Sequence, residues 1–239
     1  MVKIVLDAGH GYNTPGKRTP DGSMREWQFN SAVASLIESA LKNYENVEVL
    51  RVDDRTGKTD VPLKTRTDKA NAWKANVYIS IHANAAGSGW NEANGIETYV
   101  YISKPKEAYE LAKVVQDKLV KATGRRNRGV KTADFHVLRE TKMAAILCEC
   151  GFMTNKEEAS LLKSDSYRQK VANAIVEGLA AFYKLKKKSA PKPSSKPEKP
   201  AGQSDKVYRV QVGAFKDRKN AERLAEELKK KGYPAFITQ

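Results

Sequence analysis

The stretch VYISIHA at residues 77–83 is short, rich in β-branched residues and almost continuously apolar. A run of this kind is typical of a strand that is buried on both faces of a sheet. The same features predict strands at 2–7, 47–52, 95–101 and 144–150. A sheet made of such strands needs a covering layer on each face, so the intervening segments decide the fold class.

Helices are predicted between and after these strands. In residues 27–43 the apolar side chains recur at the spacing of one helix face. Further helices are predicted at 62–75, 105–122, 155–163 and 165–184. This alternation of strands and helices predicts an α/β domain with a largely parallel sheet and helices on both faces.

Composition limits the class of protein. The chain has 239 residues, with 43 Lys or Arg against 28 Asp or Glu, and its formal net charge is +15. Such a length is enough for one or two domains with a full hydrophobic core. No run approaches the ~18 apolar residues that cross a bilayer, which excludes an integral membrane protein. The charge indicates a polyanionic partner, and nucleic acid, anionic lipid and anionic cell-wall polymer all fit it.

The cysteines are too few to stabilise the fold covalently. Cys148 and Cys150 are the only two, and they lie two residues apart in one predicted strand. A disulfide framework is therefore excluded, and two thiols cannot form a cysteine-only zinc site. We expect both to be small core residues on the strand face opposite Glu149.

A change in composition near residue 185 divides the chain. Residues 184–206 are rich in Lys, Pro and Ser and nearly lack large apolar side chains, so a flexible, mostly extended linker is predicted. Beyond it, 208–215 alternates as a strand does, 217–231 is an amphipathic helix, and 233–238 is a second strand. A β-α-β unit of this size rarely holds a hydrophobic core alone.

Two of the three histidines occupy equivalent places in the predicted sheet. His10 follows the first strand and His82 ends the third. In parallel α/β sheets, sites assemble beyond the carboxyl ends of the strands, so the two imidazoles could share one metal ion. The third ligand should be a carboxylate or another histidine. Glu26, at the start of the first long helix, is the leading candidate.

Glu149 is a further candidate, because it ends the apolar strand at 144–150. A carboxylate buried there is unfavourable unless it is paired or has a chemical role. Structural alternatives remain at this point. The histidines could be ordinary core residues, Glu26 could complement a helix dipole, and Glu149 could pair with Arg66 or Arg139.

Three longer motifs carry a resemblance to a known family. They are VLDAGHG at 5–11, RTDKANAWKANVYISIHANA at 66–85 and RGVKTADFHVLRETKMAAILCECGFMTN at 128–155. Over residues 1–183 the chain resembles the zinc-dependent N-acetylmuramoyl-L-alanine amidases of the type 3 catalytic family. The resemblance implies a twisted, mostly parallel six-stranded sheet flanked by helices. It also implies hydrolysis of the peptidoglycan amide bond between N-acetylmuramic acid and the L-alanine of the stem peptide.

The resemblance assigns roles to the candidate residues. It implies one Zn²⁺ held by His10, Glu26 and His82, and Glu149 matches the family's catalytic glutamate. In that role Glu149 would take a proton from a zinc-activated water and pass it to the leaving amine. A zinc carboxypeptidase that acts on the stem peptide could use the same ligands. A wall-binding protein without catalysis is the non-enzymatic alternative.

Three side chains are candidates for contact with substrate. Asn84 could orient the substrate or cap a turn. Arg128 belongs to a basic loop that could meet a muropeptide carboxylate or could be a solvated charged loop. His136 could contact the substrate or a residue that touches the substrate. Otherwise it has a structural role.

The C-terminal segment carries a second resemblance. Residues 207–239 resemble half of a SPOR-type peptidoglycan-binding module, through the motifs VQVGAF and GYPA and the helix between them. A full module has about two such β-α-β units, so this one is expected to pair with a copy from another chain, forming a dimer, or the chain is truncated. The predicted organisation is a catalytic domain at 1–183, a linker at 184–206 and a wall-binding unit at 207–239.

The excess positive charge lies mainly in the tail. Residues 1–182 hold 27 basic and 22 acidic side chains, whereas residues 183–239 hold 16 and 6. Teichoic acid is therefore the leading polyanion for the tail, ahead of nucleic acid. The sequence has no zinc finger, aromatic-interleaved RNA motif or recognition-helix signature, so no nucleic-acid partner is expected.

The N-terminus bears on where the protein acts. Met1 leads directly into the strand at 2–7, without the pattern of a secretory signal. We therefore expect synthesis in the cytoplasm without a signal peptide. Action on the bacterial wall would follow release through a phage holin or lysis of a mother cell, so a phage endolysin and a sporulation autolysin both fit.

Overall fold

A computed structural model describes residues 1–188, 213, 215, 217–230, 232–233 and 235–237. The strands are β1 (Val2–Ala8), β2 (Val47–Arg51), β3 (Val77–Asn84), β4 (Ile96–Tyr101), β5 (Asn127–Ala133) and β6 (Ala144–Phe152). The helices are α1 (Glu26–Leu41), α2 (Leu63–Ala72), α3 (Lys106–Thr123), α4 (His136–Arg139), α5 (Lys156–Lys163), α6 (Asp165–Phe182) and α7 (Arg218–Lys230). By contacts the chain divides into two compact units, 1–190 and 191–239.

The six strands form one mixed sheet in the order β2-β1-β3-β6-β4-β5. All neighbouring pairs are parallel except β4 with β6, which is antiparallel. The prediction of an α/β fold with a mostly parallel sheet flanked by helices is therefore confirmed. The order places β3 between β1 and β6, which brings the ends of three sequence-distant strands to one edge.

Strand β5 and helix α4 are not predicted from the sequence. Strand β5 has no fully buried residue, and its segment NRGVKTA lacks the alternation of apolar and polar residues that marks a strand. It forms because β4 offers it a pairing edge. Helix α4 has only four residues, too few to show a helical period, although its Val137 and Leu138 are buried.

The two faces of the sheet differ in their cover. One face packs the main core against α1, α3 and α6, with Ile79, Ile81 and Cys148 fully buried there. Each such aliphatic side chain contributes about 1.5–3 kcal/mol of burial free energy. The opposite face packs a smaller cluster, including Tyr78 and Leu147, under the short helices α2 and α4. This thinner cover leaves the carboxyl end of the second face open.

Side chains alternate between these faces along each strand. In β6, Cys148 and Cys150 are free, buried thiols on the main core face, as the sequence predicts. Glu149 lies on the opposite face. In β3, His82 shares that face, because Ile81 and Ala83 belong to the main core.

The start of the predicted linker is attached to the first unit. The N–H of Glu45 donates to the Lys186 carbonyl (2.8 Å) and the N–H of Lys188 donates to the Asn43 carbonyl (2.8 Å). Leu185 packs against the main core. These residues remain with the first unit because one apolar side chain and a short backbone pairing hold them there.

In the second unit, α7 confirms the helix predicted at 217–231. The Asp217 carboxylate accepts from the N–H of Lys219 (2.9 Å), and Gly232 adopts φ +85° just beyond the helix, so both are the caps that the sequence indicates. The strand predicted at 208–215 lies outside the described residues except at 213 and 215. That predicted at 233–238 is described only at 233 and 235–237, and none of these described positions is in a strand.

None of the described helices is both long and apolar enough to cross a membrane.

Candidate metal centre and catalytic carboxylate

The loop after β1 presents His10 from a strained backbone. His10 adopts φ +66°, in the left-handed region that few residues other than glycine occupy. Gly9, beside it, is needed for close packing, because a Cβ there would lie 2.1 Å from the ring of His82. The N–H of Gly9 donates to the Ile81 carbonyl (3.1 Å). Strain of this kind is a common feature of functional sites.

Glu26 is the first residue of α1 and is almost fully buried. Its backbone N–H donates to the Lys17 carbonyl (2.9 Å), which ties the preceding loop to the start of the helix. One carboxylate oxygen, Oε1, lies 2.9 Å from His82 Nδ1, and the other, Oε2, lies 3.3 Å from His10 Nε2. Asn30 Nδ2 also donates to Oε1 (3.3 Å).

His10, Glu26 and His82 therefore form one group, called here the His–Glu–His cluster. One possible ligand atom from each lies within 4.8 Å of the others. The two imidazole rings meet edge to face, with centroids 5.1 Å apart. The three residue types that the sequence places on separate elements thus converge as a group able to hold a metal ion.

The protonation of the cluster follows from burial and charge. Burial lowers the pKa of His10 to about 4, so its ring is neutral at pH 7. For Glu26, burial alone would raise the pKa, but the hydrogen bond and charge of His82 and the charge of His10 lower it overall. Burial acts to lower the pKa of His82, and Glu26 raises it overall. A neutral histidine and an ionised carboxylate are the forms that bind metal.

A hydrogen-bonded chain behind the cluster orients His82. Its Nε2 lies 3.1 Å from Ser80 Oγ, and Ser80 donates to Asp7 Oδ2 (2.8 Å). Because the hydroxyl proton goes to Asp7, the Ser80 lone pairs accept from Nε2–H. Nε2 therefore donates to Ser80 while Nδ1 donates to Glu26 (2.9 Å). A cation in the cluster would replace the proton on Nδ1, and Ser80 would keep the other proton on Nε2.

Arg66 completes that support and is fully buried. Its guanidinium donates to Asp7 Oδ1 (2.6 Å) and to the carbonyls of Ala8 (2.7 Å) and His10 (3.3 Å). One side chain therefore holds both the carboxylate behind His82 and the backbone that carries His10.

Glu149 lies beside the cluster. It is the register partner of His82 in β3, so the two side chains lie on the same face of adjacent strands. It is half-buried, and its Oε2 atom is buried with no hydrogen-bond partner among the described residues. Burial, with the charges of Glu26 and Glu97, raises its pKa to about 8, while His82 opposes the shift.

The ion pairs that the sequence left open for Glu149 do not form. Arg66 binds Asp7, and Arg139 bonds to Glu140. Glu149, Glu26 and His82 instead line one cavity of ≈ 300 Å³. An unpaired carboxylate at such a cavity is positioned to exchange protons with a bound molecule.

The three predicted substrate residues lie in different surroundings. Asn84 lines the same cavity, and its amide donates to Glu97 Oε1 (2.8 Å) while its Oδ1 accepts from the N–H of Ala85. Arg128 is half-buried on β5 and binds Glu97. His136 begins α4, and its Nε2 lies 3.3 Å from Thr67 Oγ1.

Sequence reasoning missed Glu97, which lies at the centre of these contacts. Strand 95–101 was predicted, and its alternation places Glu97 on the face opposite Ile96 and Thr98. What the sequence did not show is that β4 runs antiparallel to β6 with Glu97 opposite Glu149. The sequence signal for Glu97 was only that a charged residue occupies a position where a buried strand usually has an apolar one.

Known proteins resemble this chain in sequence and in structure. A family model described as N-acetylmuramoyl-L-alanine amidase matches residues 4–181, and a model described as SPOR domain matches residues 204–239. A sporulation-specific N-acetylmuramoyl-L-alanine amidase of Bacillus subtilis (strain 168) is 35% identical over an alignment of 240 positions, which covers 99% of this chain and 84% of that protein. An endolysin of Bacillus phage SPP1 is 37% identical over an alignment of 218 positions, which covers 88% of this chain and 77% of that protein.

The fold is also shared with a solved structure. The catalytic domain of CwlV, an N-acetylmuramoyl-L-alanine amidase from Bacillus (Paenibacillus) polymyxa var. colistinus, matches with a TM-score of 0.71 and 36% identity, over 78% of this chain and 100% of that domain. The fold, the cluster and these matches define a peptidoglycan hydrolase. Within that class, the chain belongs to the N-acetylmuramoyl-L-alanine amidase family, and the enzyme class predicted from its motifs is confirmed.

Proposed function

We propose that this amidase uses one Zn²⁺, bound by His10, Glu26 and His82, and Glu149 as its general base. The observation that carries the proposal is the unpaired Glu149 carboxylate, which lines the same cavity as Glu26 and His82. Its reaction is hydrolysis of the amide bond between N-acetylmuramic acid and the L-alanine of the stem peptide.

The donor set of the cluster fits zinc. Two imidazoles and one carboxylate are ligands that catalytic zinc sites use, and three protein ligands leave a position open for water or substrate. His10 is neutral at pH 7, as a ligand must be. His82 donates its Nε2–H to Ser80, the kind of outer hydrogen bond that commonly fixes the tautomer of a metal-binding histidine.

The residues divide the chemical work. A zinc ion held by His10, Glu26 and His82 would supply a water of lowered pKa and would polarise the scissile carbonyl. Beside such a cation Glu149 would be ionised at neutral pH and would accept a proton from the attacking water. Glu149 then returns the proton to the departing amine of L-alanine. Arg66 and Ser80 keep the ligands in place throughout.

The role of Glu149 is tested by Glu149→Ala. We expect the variant to fold and to retain zinc, while hydrolysis falls by about 10²- to 10⁴-fold because proton transfer is lost. Glu92→Ala, at an exposed acidic position, is the matched control. Near wild-type hydrolysis by Glu149→Ala would overturn the role, and loss of zinc would show that Glu149 acts as a ligand.

The bond that is cut is tested by product analysis. Purified peptidoglycan digested by the wild-type enzyme should gain free L-alanine amino termini, measured by mass spectrometry. Released D-alanine would instead identify a stem-peptide carboxypeptidase. The same digestion after treatment with a strong chelator should stop and should resume on addition of zinc, and unchanged lysis in chelator would remove the zinc proposal.

We also propose that the chain is organised as a catalytic domain at 1–183, a linker at 184–206 and a wall-binding unit at 207–239, whose basic residues bind teichoic acid. The SPOR match and the concentration of positive charge beyond residue 183 support this. A chain ending at Ala190 keeps the whole first compact unit. It should hydrolyse soluble muropeptides normally but adsorb less to whole walls, with a difference that shrinks as salt rises.

Two controls identify what the tail binds. Walls stripped of teichoic acid should lose the salt-sensitive part of the adsorption if teichoic acid is the ligand, and glycan strands without stem peptides should retain binding if the SPOR unit reads glycan. Equal adsorption of both chains at low salt would contradict a role for the tail. Pairing of tails between chains predicts a dimer by sedimentation velocity for the full chain and a monomer for residues 1–190.

Of the three predicted substrate residues, we propose that Asn84 and Arg128 line the path of the substrate and that His136 flanks it. The setting we propose is programmed lysis of a bacterial cell, in phage release or in mother-cell lysis. The names of the two relatives support these settings. Expression confined to sporulation would select the second, and induction together with a prophage the first.

A further inference from the structure

A row of polar side chains extends from the His–Glu–His cluster across the open face of the sheet. His82 on β3 is in register with Glu149 on β6, and Glu149 is in register with Glu97 on β4. The row continues onto β5, where Lys131 is in register with Tyr99 of β4. Register partners project to the same face of a sheet. The row therefore continues the catalytic site as far as the sheet edge.

Glu97 is the centre of the outer half of this row. It is almost fully buried, and four side chains donate to it. Oε1 accepts from Asn84 Nδ2 (2.8 Å) and Tyr99 OH (2.7 Å), while Oε2 accepts from Arg128 Nε (2.6 Å) and from Lys131 Nζ. Two cations thus meet one carboxylate, and the group carries an excess of one positive charge.

Arg128 is held in one orientation. Besides its bond to Glu97, its Nη1 donates to the Asn94 carbonyl (3.4 Å) and its guanidinium lies over the ring of Phe152, 4.8 Å from the centroid. Its Nη2 makes no hydrogen bond to any residue that the structure describes. An arginine oriented in advance loses little entropy when it binds an anion.

Lys131 is held by the same carboxylate and is also accessible. The side chains of Lys131 and Arg128 are 37% and 27% exposed, so an anion can reach both. One cation would already neutralise Glu97, and the ammonium of Lys131 keeps two donors beyond the one it gives to Glu97. The pair therefore offers unused donors and net positive charge, which is what a carboxylate ligand requires.

The chemistry of the substrate says which part of it carries the anion. On the sugar side of the scissile amide, the groups are hydroxyls, ethers and acetamides, whereas the stem peptide carries carboxylates. From β6 to β5 is two strand spacings, roughly 10 Å. An extended peptide covers about 3.3–3.6 Å per residue, so this distance corresponds to the second or third residue of the stem.

We propose that Arg128 and Lys131, positioned by Glu97, form a subsite for a carboxylate on the second or third residue of the stem peptide. The inference rests on the proposed function, since it places the stem peptide beyond the cavity that holds Glu149, on the side of Asn84, which lines that cavity and donates to Glu97. The enzyme then distinguishes stem peptides with a free carboxylate from those in which that carboxylate is amidated. Glu97 is a positioning residue here, and the two cations contact the substrate.

The experiment compares soluble muropeptides that differ by one amide. One pair carries D-glutamate or D-isoglutamine as the second stem residue, and another carries free or amidated diaminopimelate as the third. The kcat/KM of the wild-type zinc enzyme is measured from the release of L-alanine amino termini. We expect about a tenfold or larger preference for the free carboxylate within one pair, because hydrogen bonds to charged groups are strong.

Variants connect that preference to the two cations. Arg128→Gln and Lys131→Gln should each bring the ratio toward one, chiefly by lowering kcat/KM for the free-carboxylate substrate. Arg126→Gln removes a charge at an exposed position just before β5 and should leave the ratio unchanged. Each variant leaves one cation paired with Glu97. The preference of the wild type for the free carboxylate tests the proposal even if a variant fails to fold.

The outcomes separate the two levels of the proposal. Equal rates on free and amidated substrates by the wild type would overturn the subsite, as would variants that slow both substrates equally, which is the signature of a structural role for the ion pairs. Absence of hydrolysis of every muropeptide by the wild-type zinc enzyme would instead overturn the proposed function.

Discussion

Replacing Ser80 with alanine should weaken zinc binding although Ser80 itself offers no ligand to the metal. Its hydroxyl is the only described link between His82 Nε2 (3.1 Å) and Asp7 Oδ2 (2.8 Å). Without it, the ring of His82 loses the acceptor that keeps the proton on Nε2. The Nδ1 lone pair, which faces Glu26, is then no longer held in the binding tautomer.

The size of the effect follows from the two hydrogen bonds that the Ser80 hydroxyl makes. Removal of an outer hydrogen-bond partner from a metal-binding histidine typically reduces affinity about 10- to 100-fold, or roughly 1.4–2.8 kcal/mol. Asp7 keeps its bond to Arg66 (2.6 Å), so its charge remains paired. The metal-free protein should therefore lose about 1–3 kcal/mol of unfolding free energy for each of the two groups left without that partner, Asp7 Oδ2 and His82 Nε2–H.

The assay is a competition between the protein and a fluorescent zinc chelator, run alongside urea unfolding of the metal-free protein. Ser35→Ala is the control, because it removes a hydroxyl, at an exposed position, that contacts Arg51 rather than the cluster. Zinc affinity of Ser80→Ala within twofold of wild type, in a folded protein, would refute the reasoning. A loss of affinity by Ser35→Ala of the same size would show that the effect is not specific to His82.

Two further predictions concern the same face of the sheet. Gly9→Ala should abolish stoichiometric zinc binding, because a Cβ at that position would lie 2.1 Å from the His82 ring. Gly89→Ala is the control and should retain zinc, since the space around Gly89 is open. A full zinc content in Gly9→Ala, measured by atomic emission, would contradict this prediction. Although burial acts to raise the pKa of Glu97, hydrogen bonds, that of Lys131 foremost, lower it from 4.5 to about 2. Ionised Glu97 thus stabilises the fold above pH 4.5, and this contribution should disappear as pH falls toward 2. Urea unfolding across that range should show a shallower pH dependence for Glu97→Gln, and parallel curves for the two proteins would be the contrary result.

Much of the fold could be predicted because its signals are local. The β-branched run at 77–83 and the amphipathic segment at 27–43 show their periods within a few residues, and both elements form. Strand β5 and helix α4 could not be predicted, because the first depends on the free edge of β4 and the second is a single turn held by Val137 and Leu138.

The candidate site divides in the same way. His10 and His82 could be selected because both follow predicted strands, and Glu26 because it begins a helix after a loop. Their convergence within 4.8 Å required the sheet order that places β1 beside β3. For Glu149, the sequence indicated only an unfavourable burial, and the choice between an ion pair and an unpaired carboxylate needed the positions of the arginines.

What the sequence by itself determined is the set of elements, their order and the residues able to bind metal or move protons, since these depend on side-chain chemistry and on patterns a few residues long. The tertiary structure alone decided which strands are neighbours and in which direction they run. The reversed direction of β4 relative to β6 is the clearest case, because it sets Glu97, the partner of Arg128, opposite Glu149. Pairing between distant strands is set by burial and hydrogen bonding over the whole sheet, and a local pattern carries no record of it.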